Sequence, residues 1–556
     1  MTKKQTIIIT ALSIAAFVLA LMVSGRFWFR LDLTKNRAYT ISQVSRNLHY
    51  EIHDPVNITY YLSDRLRTIA SEPGEIEDTL KEYTAYSRGK INLTVKDPIK
   101  AGVARAVEEI GIIPRQVQII EQGQASFITV YSGIVIEYLD RIEVLPWIIS
   151  TATLEYDLTS RIRSMVNETE RLIGIIVGDY YRQWGDDFFY LNTIMNSAGY
   201  RTHLLFPGEP IPDTLPALFV LGGAEDLDDW ALYRIDRYIQ LGGKVLFAVK
   251  GIYIDVYETI EARHMYDLGL LDMIAAYGVI IRPELVLDRN AHTIQYQSMS
   301  QFGMQHRIAR YPLWIGVPGS HGNSQHPVSA DFGGIDLYWA SPLELVPTST
   351  VEAVPLFISS PDAWSMRDYL YTNPEVPYML EMEMQETKGI KILGASLSGL
   401  FPSFFRGAPK PLREGSYEEL PDMPDSASPS RIIVVGDTDF ATTIMNATQN
   451  VHYGEHYNLD FLLRVADWLV NDDDIIGIRN RQPQAGRFDK INDDSRRAAA
   501  MRFTEIFNVG LVPAFVIAAG LLHAFRRRSR AKIHQDNADQ TLNTQNETGE
   551  SEQERR

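Results

Sequence analysis

Two runs without a single charged side chain, one near each end, set what this chain can fold into. Thr6 to Gly25, TIIITALSIAAFVLALMVSG, is uncharged over 20 residues. As a helix it reaches roughly 30 Å, the thickness of a bilayer's hydrocarbon core. The rival reading is a cleaved signal peptide, because Lys3 and Lys4 form a short basic flank. The apolar run is longer than such peptides use, however, and no clear small-residue cleavage site follows it. Ile506 to Phe525, IFNVGLVPAFVIAAGLLHAF, is also uncharged, and Arg526, Arg527, Arg528, Arg530 and Lys532 come directly after it. The positive-inside rule holds such a cluster in the cytoplasm. The expectation is a transmembrane helix at 6–25 and another at 506–525, with both termini cytoplasmic and residues 26–505 on the other side of the membrane.

The charge balance narrows the function. Lys and Arg number 53 against 70 Asp and Glu, a net −17 with a pI near 5.2, the wrong sign for gripping a phosphate backbone. No nucleic-acid partner is expected. With zero cysteines, disulfides, thiolate nucleophiles and Cys-based metal sites are excluded. Any chemistry falls to Ser, His, carboxylates or backbone.

Between the ends the pattern is α/β, and two domains are expected. In 40–160 a Thr40, Ser42 cap opens a short helix. The alternating strand Val56, Ile58, Tyr60, the helix Ile76 to Tyr86, the strand Ile91 to Val95 and a helix to Ile110 come next, then several short runs. This suggests a small α/β domain of thioredoxin-like layout without its thiols. In 165–475 the runs at 171–177, 217–222, 244–249 and 431–436, apolar after a leading Arg171, Lys244 or Arg431 in three of them, alternate with helical patterns. Parallel strands buried on both faces read this way, and a doubly wound, flavodoxin-like domain follows. Gly242 and Gly243 end one helix before Lys244. Residues 295–430, dense in Pro and Gly around Tyr311 to Gly322 and from Pro402 to Pro429, read as an irregular insertion with some strands of its own. Residues 476–505 form a juxtamembrane segment, and the polar tail 530–556 reads as disordered.

Nucleotide-binding and common hydrolase signatures are absent: there is no G-x-x-x-x-G-K-[ST], H-E-x-x-H, G-x-S-x-G or G-x-G-x-x-G. His321 and His326 lie in a loop, HGNSQH, and read as solvated rather than metal-bound. Open α/β sheets bind ligands beyond the carboxyl ends of their strands, and there the sequence sets Gly178-Asp179 and Gly436-Asp437-Thr438-Asp439. Asp179, Asp437 and Asp439 are therefore the candidate ligand-binding residues, though Asp after a strand is also a common cap and turn former. In that plainer role Asp179 and Asp437 would tolerate replacement by Asn. No catalytic residue, metal or cofactor is assigned.

Several pieces in order, RLDLTKNRAYTIS after the first run, VKDP at 95–98, GIVIEYLDRIEVLPWI at 133–148, LEYDLTSRI at 154–162, IDRYIQLGGKVLFAV, RIIVVGDTDF at 431–440 and NLDFLLRVADWLVNDDDIIGIRNR at 458–481, resemble the GldG family. That is the auxiliary, historically "substrate-binding", component of a bacterial ABC transporter linked to gliding motility. Many members carry a Gly-His-Gly-Glu turn after the first strand of the second domain; this chain has Gly178-Asp179-Tyr180-Tyr181. The resemblance implies a non-enzymatic extracytoplasmic subunit at a bacterial inner membrane. Its partners would be an ABC permease and an ABC ATPase, and its cargo is unknown. The alternative is an envelope hydrolase or carbohydrate-active enzyme using carboxylates of the second domain. A scaffold tethering the membrane to an outer assembly is a third reading.

Overall fold

The computed structural model describes residues 40–470, apart from 122–123, 152, 168–170, 267, 301–302, 331, 347, 414–417 and 449–455, together with the single positions 478, 502 and 518. The first sheet begins with β1 (Val56–Leu62), whose alternate residues Val56, Ile58, Tyr60 and Leu62 are buried. Ile76, Leu80 and Tyr83 of the helix Glu72–Ala85 join the same core. That helix returns the chain to β2 (Ile91–Lys96), which runs parallel to β1. A hairpin of β3 (Arg115–Glu121) and β4 (Gln124–Val130) pairs with itself. β5 (Ser132–Tyr138) and β6 (Arg141–Leu145) then complete an order β2-β1-β5-β6. At the start of the described chain, the Ser42 hydroxyl accepts from the Ser45 N–H at 3.1 Å and caps the short helix Gln43–Asn47.

The helix Leu154–Asn167 is buried on two sides. Leu154, Leu158, Ile162 and Met165 pack into the first sheet's core. On the other side Arg161 donates to the Ser197 carbonyl at 3.1 Å, and the Tyr156 hydroxyl donates to Asp467.

Among the described residues the second sheet has nine strands. β7 (Leu172–Val177), β8 (Arg201–Leu204), β9 (Ala217–Leu221), β10 (Lys244–Ala248) and β22 (Ser430–Val435) form its parallel part, in the order β8-β7-β9-β10-β22. Counted along the chain this is 2-1-3-4-5, an arrangement whose ligand crevice lies between the first and third strands. Apolar residues cover both faces. Ile173, Ile175, Phe219 and Leu246 face the helices Phe189–Ser197 and Tyr457–Val470. Ile176, Leu218, Val220 and Phe247 face the helices Asp229–Gln240 and Gly269–Tyr277. Burying each such side chain stabilises by roughly 1.5–3 kcal/mol, which is why β7, β9, β10 and β22 carry nothing polar past their first two residues, whereas the edge strand β8 is polar and mostly exposed. The helix Asp229–Gln240 starts where the Asp228 carboxylate accepts from Ala231 N–H at 2.9 Å, and it ends at Gly242, whose φ is +94°.

Between β10 and β22 come the short strands β11 (Ile252–Ile254), β12 (Ala262–His264), β13 (Val279–Ile281) and β14 (Leu285–Leu287). They are followed by β15 (Ala291–Ser300), β16 (Gly303–Pro318), β17 (Gly334–Tyr338), β18 (Leu343–Leu345), β19 (Val351–Ile358), β20 (Trp364–Met366) and β21 (Ile392–Gly399). β13, β18, β19 and β21 widen the main sheet antiparallel to β22's side, while β15, β16 and β17 make a separate three-stranded sheet. The Pro- and Gly-rich stretch expected to be irregular around Tyr311 is thus largely strand. Tyr311, Leu313, Ile315 and Val317 are buried at alternate positions of β16. Pro312 falls between the two pairings of that strand, where no ladder N–H is required of it.

The expected fold class needs correction. The chain is a mixed α/β structure of several sheets, and among the described residues no helix is long and apolar enough to cross a membrane. The described helices Glu72–Ala85, Leu154–Asn167 and Tyr457–Val470 have 14 residues each, whereas a span requires about 20. An architecture with a transmembrane helix at each end is not supported. The run 6–25, the run 506–525 apart from position 518, the segment 479–501 and the tail 530–556 lie outside the described residues.

Candidate functional site

The parallel strands deliver four loops to one edge of the sheet: 178–182 after β7, 222–226 after β9, 249–251 after β10 and 436–439 after β22. The first two lie almost in contact. A methyl group on Gly178 would stand 2.5 Å from Gly223 Cα, and one on Gly222, whose φ is +76°, 2.3 Å from the Asp179 carboxylate. Only glycine permits that approach.

Across this edge the three candidate aspartates join one buried network through two cations. Asp439 accepts from Arg182 Nη2 at 2.6 Å and from the Lys250 ammonium. Arg182 Nε also donates to Asp179 Oδ2 at 3.1 Å, and Lys250 Nζ lies 3.5 Å from Asp437 Oδ1. Backbone donors take up further lone pairs. Gly223 N–H reaches Asp179 Oδ1 at 2.6 Å, Tyr338 N–H reaches Asp437 Oδ2 at 2.7 Å, and Asp439 N–H reaches Asp437 Oδ1 at 2.7 Å. Thr438, between the two aspartates, donates its hydroxyl to the Ala248 carbonyl at 2.9 Å and ties the β22 loop to the end of β10. The Lys250 ammonium sits 5.2 Å from the centre of the Trp339 ring, a further favourable contact for a buried cation.

The electrostatics follow from burial and from this pairing. Burial pushes the Asp437 carboxyl up to about 6; the neighbouring Asp439 charge adds to the shift and Lys250 opposes it. Burial acts on Asp439 in the same direction, but Arg182 and Lys250 together outweigh it and hold that carboxyl below the usual range. Asp179 is raised by burial against the pull of Arg182 and of Gly223 N–H. Neither Asp179 nor Asp437 caps a long helix. Both are inner members of an ion-pair cluster, and both oxygens of Asp437 accept backbone N–H groups, so Asn cannot replace it without leaving a donor unmatched.

Outside the cluster lies a crevice of about 90 Å³, lined by Tyr180, Tyr181, Glu225, Asp226, Tyr253 and Arg263 along with Asp179, Arg182, Lys250 and Thr438. Arg263 is stacked 4.0 Å over Tyr253 and held by both oxygens of Glu225 at 3.0 and 2.9 Å. Tyr180, at 85% exposure, stands at the rim. Asp437 and Asp439 have no exposed surface at all. His321 and His326 are elsewhere, beside β16 and against Trp468, and no cluster of metal-ligating side chains occurs among the described residues.

Sequence reading missed Arg182, Lys250 and the Gly222-Gly223 pair. Lys250 had a usable signal, a charge directly after the apolar run Val245 to Val249. A second cluster, also missed, lies at the opposite end of the strands. The Asp467 carboxylate receives hydroxyls from Tyr156 and Tyr200, the latter at 2.5 Å, and Arg171 lies 3.5 Å away.

Residues 170–471 match the ABC transporter auxiliary family, described as an ABC-type uncharacterized transport system, and residues 35–137 match a domain of unknown function, DUF7088. A protein of Borreliella burgdorferi, described only as uncharacterized, is 26% identical over 518 residues, covering 90% of this chain and 94% of its own length. Among solved structures, the N-terminal domain of mmIFT52 is similar at 11% identity and a TM-score of 0.32, covering 54% of this chain and 98% of that one. A ThuA-like protein of Parabacteroides merdae is similar at 10% identity and a TM-score of 0.27, covering 54% and 90%.

Proposed function

We propose a function from one premise: this chain belongs to the ABC transporter auxiliary family, an ABC-type uncharacterized transport system. In our reading it is a non-enzymatic subunit of the GldG type. It works beside an ABC permease and a separate ABC ATPase, and its folded part engages cargo or an envelope partner. The proposed place of action is a bacterial cytoplasmic membrane, with the folded part extracytoplasmic.

One observation supports the non-enzymatic part of this reading, namely that the two aspartates after β22, Asp437 and Asp439, are already committed. A general acid or base must come within about 2.6–3.2 Å of the proton it moves. Asp437 and Asp439 are completely enclosed and bonded to Lys250, Arg182 and backbone N–H groups. The alternative of a carbohydrate-active enzyme needs two carboxyl groups flanking a substrate bond, and Asp437 and Asp439, being enclosed, cannot be that pair. The sequence also lacks a phosphate-binding glycine loop, so energy has to come from a partner.

Detergent extraction of the tagged full chain from its own cells, followed by mass spectrometry, tests the proposal. The reading expects one permease and one ATPase to be enriched together. A folded chain that retains neither would contradict it.

A further inference from the structure

The hairpin of β15 and β16 stands out in both sequence and structure. No Asp or Glu occurs between Asp288 and Asp331, although Asp and Glu make up 70 of the 556 residues. The outer half of the hairpin pairs only with itself. Thr293 to Met299 of β15 face Arg310 to Met304 of β16, and β17 joins β16 only from Trp314 onward. Outside the hairpin, both strand edges there lack a paired strand among the described residues.

The two faces of this ribbon differ. Residues opposite one another in an antiparallel pair share a face, so Met304, His306, Ile308 and Arg310 line one face together with Gln295 and Gln297. All six are exposed, Ile308 at 70% and Met304 at 65%. On the other face Ile294 packs against the main core. The exposed face therefore combines apolar side chains with Arg310 and an imidazole, and no acidic group interrupts it. Neither Arg307 nor Arg310 has an ion pair among the described residues, in a chain whose other cations are widely paired. A bare two-stranded ribbon is marginally stable in water, and open strand edges invite pairing.

We propose that this ribbon is a docking arm, and that its occupant is a partner protein presenting an extended acidic segment that adds as a strand along the ribbon. Free backbone donors and acceptors at the edges call for a peptide, which a lipid surface cannot supply. Complementary charge sets which peptide, because the arm is basic and free of acidic residues. Strand addition of this kind takes affinity from main-chain hydrogen bonds and specificity from side chains on the presented face. The inference is independent of the crevice and of the transporter reading.

A photo-crosslinking residue at Gln295 in the full chain, activated in cells that make it, tests the arm. The expected product is a crosslink to an acidic segment of a different protein, with its yield reduced at least tenfold by Arg307→Glu with Arg310→Glu and recovered when acidic residues of that segment are changed to Lys. Arg310→Gln, which removes charge without adding repulsion, should give a smaller loss, and circular dichroism of all variants should match the parent. Crosslinks to lipid, to a second copy of this chain, or to a segment whose charge exchange restores nothing would each overturn the proposal.

Discussion

Lys250 holds the crevice together, because it is the cation shared by Asp437 and Asp439. Replacing it with Met leaves two buried carboxylates short of a counter-charge, and breaking a buried pair from one side costs about 3–5 kcal/mol. Urea denaturation should show that loss, with part of it recovered when Asp437→Asn is added, since one fewer carboxylate then lacks a partner. Asp437 also leaves a mark on the pH dependence. Its folded pKa, about 6, lies above its unfolded value, so protonation favours the folded chain. Its contribution opposes folding above about pH 6 and is relieved as pH falls from about 6 toward 4, by up to roughly 3 kcal/mol. Relative to the parent, Asp437→Asn should lack this gain between pH 7 and pH 4 in thermal melts; parallel curves would show that Asp437 does not titrate there. Read as a turn former, Asp437 is expected to tolerate Asn; its Oδ1 does accept the turn bond from Asp439 N–H, but its Oδ2 also accepts from Tyr338 N–H, so Asn would leave one of these donors unmatched. The aspartates were legible as carboxylates placed after apolar strands. Their cations were not, since the bond from Lys250 to Asp439 spans 189 residues and no local pattern marks it.

Strands legible from sequence were those whose apolar runs are unbroken, β7, β9, β10 and β22, because burial on both faces leaves no room for polar residues. The antiparallel additions were legible in part. β18 has three residues, too few for length or alternation to mark it, whereas 279–288 reads as extended chain and the runs 354–359 and 390–398 read as strands, where β13, β19 and β21 lie. β16 was hidden by its prolines and glycines although its alternation was present. At this scale the close crossing of the loops after β7 and β9 is testable. Gly178→Ala would drive a methyl group into Gly223 and should lower stability by roughly 1–3 kcal/mol. Gly185→Ala, where a methyl group meets open space, should leave the urea midpoint unchanged. Equal effects from the two substitutions would mean that the loops do not pack as described.

The whole molecule depends on a helix shared between its two principal sheets. Leu154–Asn167 buries one side in the first core and sends Tyr156 to Asp467, which also pairs with Arg171 and Tyr200. Asp467→Asn should cost about 3–5 kcal/mol by leaving Arg171 buried without its carboxylate. In calorimetry it should divide one unfolding transition into two; a single transition at an unchanged temperature would show that this contact does not couple the sheets. On the proposed function, the crevice cluster holds the fold of a transport subunit together and takes no part in a reaction. The most direct measurement is the fraction of chain that co-purifies with a permease and an ATPase, taken for the parent, Lys250→Met, Asp437→Asn and Gly178→Ala and compared with each protein's folded fraction. Both partners should be retained in proportion to the folded fraction. Loss of either partner from a variant that remains fully folded, or their absence from the parent, would contradict the proposed function.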